Sequence, residues 1–237
     1  LWFTDAMRRS DAVVAISAGT RDRLKARYGR GCDAVVRPAV SSCFQIPDRE
    51  RLEGVLARHG LASGGYLLAV GTHEPRKNLA MLVRSFRRLR DLPGFGSMRL
   101  ALVGRPGWGT SELRASVNSL PPGAVIETGY VSDEDLACLY AGSALFVFPS
   151  RYEGFGIPVA EALASGARVV ASDIPEIREA GEGSGVYVAP EEDALFDAIR
   201  TSLETRLEQR LWRARHSWGD GAQILADLTT RLARLDD

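Results

Sequence analysis

Glu153 and Glu161 stand eight residues apart in the stretch ALFVFPSRYEGFGIPVAEALASGARVV, residues 144 to 170. An apolar run ends at Pro149, a loop broken by Gly154 and Gly156 follows, and Pro158 opens a segment with helical spacing. One carboxylate therefore belongs to a strand-to-helix loop and the other to the first turn of the helix. Between them lie the unpaired N–H groups and positive dipole end of a helix N-terminus, where an anion can sit. Ionised carboxylates only accept hydrogen bonds, which suits hydroxyl donors. The pattern fits a ligand with hydroxyls at both ends and a phosphate in the middle, as in a sugar nucleotide. A plainer alternative is a solvated loop Glu and a second Glu favoured by the helix dipole.

Arg76 and Lys77 form a second candidate group, in THEPRKN. The chain has 28 Arg and 2 Lys, Lys25 and Lys77. A biased genome accounts for the ratio, yet position 77 is Lys, a compact charge suited to phosphate. Asn78 is the expected N-cap of the next helix. Cations at that end oppose the dipole by roughly 0.3–1 kcal/mol each, and a bound diphosphate would reverse the sign. The alternative is a surface pair of Glu74 with Arg76, and Lys77 in water. A glycine-rich loop in LVGRPGWG, residues 102 to 109, also follows a strand. It is neither GxGxxG nor a P-loop, which argues against a dinucleotide oxidoreductase.

Elements able to position these loops alternate from residue 66 onward. Continuously apolar runs predict strands at 66–70, 100–103, 124–127, 144–148, 168–171 and 185–188. Helical spacing falls at 78–92, 111–119, 133–141, 158–165, 175–180 and 191–203. Short buried strands alternating with helices predict an α/β fold with a doubly wound parallel sheet, whose ligands bind beyond the carboxyl ends of the strands. Residues 12–16, 18–28 and 34–37 read as strand, helix and strand, with Ser17 as N-cap. They are too few to bury a core alone and read as the tail of another α/β domain. Two closing helices are expected at 204–216 and 220–235, the second with an apolar stripe of Ile224, Leu225, Leu228, Leu232 and Leu235.

Composition narrows the function classes. The chain is 237 residues long, 45% hydrophobic and 25% charged, with zero formal net charge. No overall field draws it to nucleic acid. No apolar run approaches the ~20 residues that span a bilayer. Cys32, Cys43 and Cys138 are widely spaced and read as reduced thiols, while His59, His73 and His216 are scattered.

THEPRKN, GYVSDEDL (129–136), FPSRYEGFGIPVAEALASG and the closing HSW helix together resemble the donor half of a GT-B glycosyltransferase of the large retaining group, family 4. The resemblance covers about 66 to 237, and SDAVVAISAGTRDRL resembles the last strand and helix of that family's acceptor domain. It implies a Rossmann-like donor domain at 61–203 and a remnant of the acceptor domain at 1–37. A linker and leading helix would fill 38–60, and helices crossing back would fill 204–237. The resemblance implies that Arg76 and Lys77 hold the donor diphosphate, with Glu153 beside the transferred sugar as third catalytic residue. Gly154, Phe155, Gly156 and Ile157 would offer backbone N–H groups to sugar and phosphate. Glu161 would accept from ribose hydroxyls, Gly71 and Gly104 would allow close approach, and Arg105, Tyr130 and Val131 would lie near the base. No metal or other cofactor is implied. The wording of THEPRKN resembles mannosyltransferases of polysaccharide pathways, so the implied donor is GDP-mannose and the acceptor a saccharide or lipid-linked saccharide. The implied setting is cytoplasmic, at the cytoplasmic face of the membrane, with peripheral association through the missing half. The rest of the N-terminal domain, or a partner chain, would be needed for transfer. The alternative is a nucleotide-sugar-binding module without catalysis.

Overall fold

The computed structural model describes residues 2–205 and 212–234. Six strands form the main sheet: β3 (Tyr66–Val70), β4 (Arg99–Val103), β5 (Val125–Gly129), β6 (Leu145–Phe148), β7 (Val169–Ser172) and β8 (Val186–Val188). All are parallel, in the order β5-β4-β3-β6-β7-β8. Side chains alternate across them with period two. Leu68, Phe146, Phe148 and Ala171 face one layer, formed by α3 (Arg49–Arg58), α6 (Asp133–Gly142), α7 (Ile157–Ala164) and α8 (Pro175–Ala180). Leu67, Leu102, Val147 and Val170 face the other, formed by α4 (Leu79–Arg90), α5 (Ser111–Asn118) and α9 (Glu192–Glu204). Both faces are covered, which is why the strands read as continuous apolar runs. The expected doubly wound parallel sheet is the fold observed.

The order reverses direction between β3 and β6. Connections on either side of that point leave toward opposite faces, which in open α/β sheets is the place at the carboxyl edge where ligands bind. The loop after β3 holds THEPRKN, and the loop after β6 holds SRYEGFG. The two segments singled out by their chemistry thus flank one switch point.

The N-terminal segment carries α1 (Trp2–Arg9), β1 (Val14–Ala15), α2 (Ala18–Tyr28) and β2 (Ala34–Val35). Its two short strands pair in parallel, apart from the main sheet. Ser17 caps α2, its side chain accepting from the Thr20 N–H, and α2 packs on α8. Its α1 was not among the predicted elements. At the other end, α10 spans Trp218–Ala233. The helix expected at 204–216 is not seen at 212–216, which is irregular chain; 206–211 and Leu235 lie outside the described residues. Asn78 is the N-cap position of α4, as expected, but in an unusual conformation. It is left-handed (φ 55°) at the joint between a 3-10 turn, Pro75–Lys77, and α4, and its side chain does not cap. A short amide side chain tolerates that conformation, so the residue serves as a corner here.

Two glycines bring the loops after β3 and β4 together. Gly104 has φ 140°, and a Cβ there would lie 2.2 Å from the Gly71 carbonyl oxygen. Gly104→Ala is therefore expected to lower unfolding free energy by about 1–3 kcal/mol. Gly54, in α3, has no atom within 4 Å of its Cβ position, and Gly54→Ala is expected to raise stability by about 0.5–1 kcal/mol. Urea unfolding of both variants checks these opposite signs.

Candidate functional site

Glu153 is the meeting point of the two switch-point loops. Lys77 Nζ donates to its Oε1 at 2.7 Å, and Arg76 Nη1 donates to its Oε2 at 2.9 Å. Lys77 and Glu153 are only 7% and 8% exposed. A backbone bond ties the same loops, the Arg151 N–H donating to the Arg76 carbonyl at 2.8 Å. Lys77 Nζ also lies 4.8 Å from the centre of the Phe148 ring, a cation–π contact from the last residue of β6. Burial pushes the Lys77 ammonium below its ordinary pKa, and the neighbouring Glu153 opposes that shift. The Glu74–Arg76 pair is present at 2.6 Å, as the plainer reading supposed, but Lys77 is not in water. Donor capacity remains in both cations, because a Lys ammonium has three N–H groups and a guanidinium five.

Gly71 lies against the Lys77 side chain, and Gly104 against the Gly71 backbone. The Cβ position of Gly71 is 3.0 Å from Lys77 Cε, so its missing side chain makes room for the lysine stem. The loops after β3 and β4 are then joined by paired backbone bonds, His73 N–H to Arg105 carbonyl at 3.0 Å and Gly107 N–H to His73 carbonyl at 3.1 Å. His73 is buried, and its imidazole is pushed toward the neutral form mainly by that burial. Arg105 stacks its guanidinium 5.4 Å from the Tyr130 ring centre, and Tyr130 is 69% exposed. These two residues and half-buried Val131 form an open rim with an aromatic face.

Gly156 opens α7 with φ 109° and offers no side-chain cap, so the first-turn N–H groups lack a side-chain acceptor. Phe155 is buried, Ile157 is at the margin of exposure, and the Gly154 carbonyl accepts from the hydroxyls of Ser17 and Thr20 at 2.7 and 3.0 Å. Glu161, in the second turn rather than the first, is half-buried and accepts from the Tyr140 hydroxyl at 3.2 Å. Burial raises the Glu161 pKa to about 7, the Tyr140 hydrogen bond acting against it and Asp133 adding to it. A carboxyl raised in this way binds its proton more tightly in the folded state, so its contribution to stability falls as pH rises from about 4.5 to about 7.

Arg76 and Lys77 are thus both joined to Glu153, with Gly71 against the Lys77 stem, while Arg105, Tyr130 and Glu161 have separate partners. Thr20, Tyr140 and Phe148 are not singled out by spacing, and Ser17 is marked there only as an N-cap. Phe148 could have been, as the aromatic closing the strand that feeds the loop. Tyr140 lies 21 residues before Glu161 on another helix, a pairing no local pattern announces. The sequence contains one Asp-x-Asp spacing, Asp133 to Asp135, at the start of α6, where Asp135 accepts from Arg58 at 2.8 Å. Among the described residues no three or more His, Cys, Asp or Glu cluster as metal ligands would.

Residues 64–205 match the sequence family described as Glycosyl transferases group 1. The chain is 31% identical over 214 residues to O-antigen chain mannosyltransferase B of Escherichia coli, covering 88% of this chain and 55% of that protein. It is 30% identical over 246 residues to the serotype-specific mannosyltransferase WbdA of Escherichia coli, covering 94% of this chain and 29% of that protein. The chain therefore spans about half, or less, of the length of these relatives. Its fold is similar to that of sucrose-phosphate synthase from Thermosynechococcus elongatus, with a TM-score of 0.78 at 22% identity over 98% of this chain and 61% of that one. It is similar also to Anabaena HepE solved with UDP and glucose, with a TM-score of 0.73 at 20% identity over 97% of this chain and 64% of that one.

The buried pair generates a stability prediction. Lys77→Met and Glu153→Gln should each destabilise, because each leaves a buried group without its partner. The double variant should be less destabilised than the sum, with a coupling of about 0.5–3 kcal/mol. A double-mutant cycle by denaturant unfolding reads that coupling, and strict additivity would deny the pair.

Proposed function

From the premise that this chain belongs to the glycosyl transferases of group 1, we propose that it is the donor-binding half of a retaining family 4 hexosyltransferase. The observation that carries the reading is the convergence of Arg76 and Lys77 on Glu153 at the switch point of the sheet. A nucleoside diphosphate sugar bound there would place its diphosphate on the two cations and on the N–H groups of Gly154 to Ile157. Its sugar would take the hydrogen-bonding capacity of Glu153. Its ribose hydroxyls would meet Glu161, and its base the rim of Arg105, Tyr130 and Val131. Gly71 and Gly104 would keep the loops beneath the phosphates close.

Breaking the bond between sugar and phosphate builds positive charge on the sugar and negative charge on the departing diphosphate. Arg76 and Lys77 are fixed cations aimed at the second of these. Losing one such electrostatic contact typically costs ~2.7–4 kcal/mol of transition-state stabilisation. Glu153, an anion near the reacting carbon, suits the first. The cations supply the neutralisation that a metal would otherwise provide, so the reading needs no metal.

The mannosyltransferase relatives favour a mannose donor, GDP-mannose, and a saccharide or lipid-linked acceptor. No described helix is long and apolar enough to cross a membrane. We assign the setting to the cytoplasmic face of a membrane. Residues 1–37 are assigned to an acceptor domain and 61–203 to the donor domain, joined by 38–60. Within 204–237, α10 would cross back toward the acceptor side. On this account transfer belongs to the whole protein, the remaining acceptor domain or a partner chain included, and the chain described here holds the donor.

Glu161 makes the reading pH-dependent. Ribose hydroxyls favour the ionised carboxylate, while the empty site holds it protonated up to about pH 7. Nucleotide affinity should therefore rise as pH goes from 6 to 8 and level off above, with proton release near neutrality. Glu161→Gln should lose about tenfold or more in GDP affinity, the worth of a hydrogen bond to a charged group. It should also flatten the pH dependence to that of the nucleotide's terminal phosphate, which titrates at about pH 6, and lose the preference for ribose over deoxyribose nucleotides. Calorimetry with GDP, UDP, ADP and their deoxy forms in buffers of different ionisation enthalpy makes the test. Failure of every nucleotide to bind would refute the reading.

A further inference from the structure

Gly154 is held from a direction the donor site does not explain. Its carbonyl accepts two hydrogen bonds from the start of α2, from Ser17 Oγ at 2.7 Å and Thr20 Oγ1 at 3.0 Å. Ser17 is fully buried, and its oxygen also caps α2 by accepting from the Thr20 N–H at 2.9 Å. A Cβ on Gly154 would lie 2.9 Å from Ile16 Cδ1, so the loop backbone is seated directly on this segment. Arg23, one turn further along α2, lies 4.9 Å from the Tyr152 ring centre. It also donates to both oxygens of the fully buried Glu176 of α8, at 2.6 and 3.1 Å. The Ala18 N–H donates to Glu179 of the same helix at 2.8 Å. The start of α2 is thus anchored on α8 and grips residues 152–154 from one side, while Arg76 and Lys77 hold Glu153 from another.

The peptide plane converts this grip into an orientation. In a trans peptide the carbonyl and the next N–H point opposite ways. With the Gly154 carbonyl turned toward α2, the Phe155 N–H faces away from α2. Glycines at 154 and 156 give this stretch little preference of its own, so the external hydrogen bonds decide it.

We propose that Ser17 and Thr20 are positioning residues for donor binding: they fix the Gly154–Phe155 peptide so that the N–H groups of this loop meet the diphosphate and sugar. The inference rests on the nucleotide-sugar reading above and extends it, because it makes the segment before residue 37 part of the donor site. A contact serving stability alone would affect every nucleotide equally. A positioning contact affects those with a second phosphate or a sugar.

Thr20→Val removes one donor at constant shape, and Ser17→Asp keeps a capping oxygen while removing the donor to Gly154. Calorimetry compares GDP-mannose with GMP, and UDP-glucose with UMP as a second pair. Each variant is expected to weaken the sugar nucleotide by about two- to tenfold relative to its monophosphate. Thr20→Ser is expected to restore the parent ratio. Amide hydrogen exchange over 153–157 is expected to quicken in Thr20→Val without ligand. Unchanged ratios and unchanged exchange, or equal losses for monophosphate and sugar nucleotide, would overturn the positioning role while leaving the donor site standing. Failure of the unaltered chain to bind any of the four probes would overturn the donor reading and this inference with it.

Discussion

A carboxylate shared by two cations, Glu153 between Lys77 and Arg76, is the constraint on which the site depends. Ions removed from water lose several kcal/mol of hydration, and only close partners offset it. Lys77 and Glu153 are almost fully buried, so each needs the other where it is. That requirement locks two loops 76 residues apart in the chain into one arrangement at one edge of the sheet. The Lys77 and Glu153 side chains are each other's close counterions. On the proposed reading, a diphosphate would offer the cations more negative charge than one carboxylate does, and the displaced carboxylate would be free to accept from hydroxyls. On that reading, the arrangement of these loops and the affinity for ligand would rest on the same three side chains.

Everything around the triad serves its placement. The strand order puts β3 and β6 side by side with their connections leaving in opposite directions, so the loops that follow meet at the carboxyl edge of the sheet. Gly71 makes space for the lysine stem, and Gly104 lets the loop after β4 close against Gly71. Phe148 supplies an aromatic face for the ammonium at the very end of β6. On the far side of the Glu153 loop, Arg23 and the Glu176 carboxylate anchor α2 to α8.

Much of this was legible in the sequence, for reasons that differ by level. Strands buried on both faces are continuous apolar runs, so all six were found, their ends within one or two residues of those observed. Lysine at 77 in an arginine-rich chain, and a carboxylate between glycines and a helix start, marked the two loops. Their contact was not legible, because strand order is a property of the assembled sheet and leaves no local pattern. Ser17 shows both sides of this limit. Its role as N-cap follows from its neighbours, whereas its bond to Gly154 joins residues 137 apart. Asn78 takes the N-cap position its neighbours announce, whereas its left-handed backbone and its side chain's failure to cap leave no local pattern. The expected helix at 204–216 rested on spacing alone, and the described part, 212–216, is irregular.

The central claim, that the Lys77–Glu153 centre receives a diphosphate, can be watched on one nucleus. The chain has two lysines, Lys25 and Lys77, so isotope labelling of lysine gives one reporter in the site and one outside it. Titration with GDP, followed through the side-chain resonances, should shift the Lys77 signal saturably and raise the pH at which it titrates, leaving Lys25 unchanged. GDP binding that is measurable by calorimetry while the Lys77 resonance stays still would contradict the account.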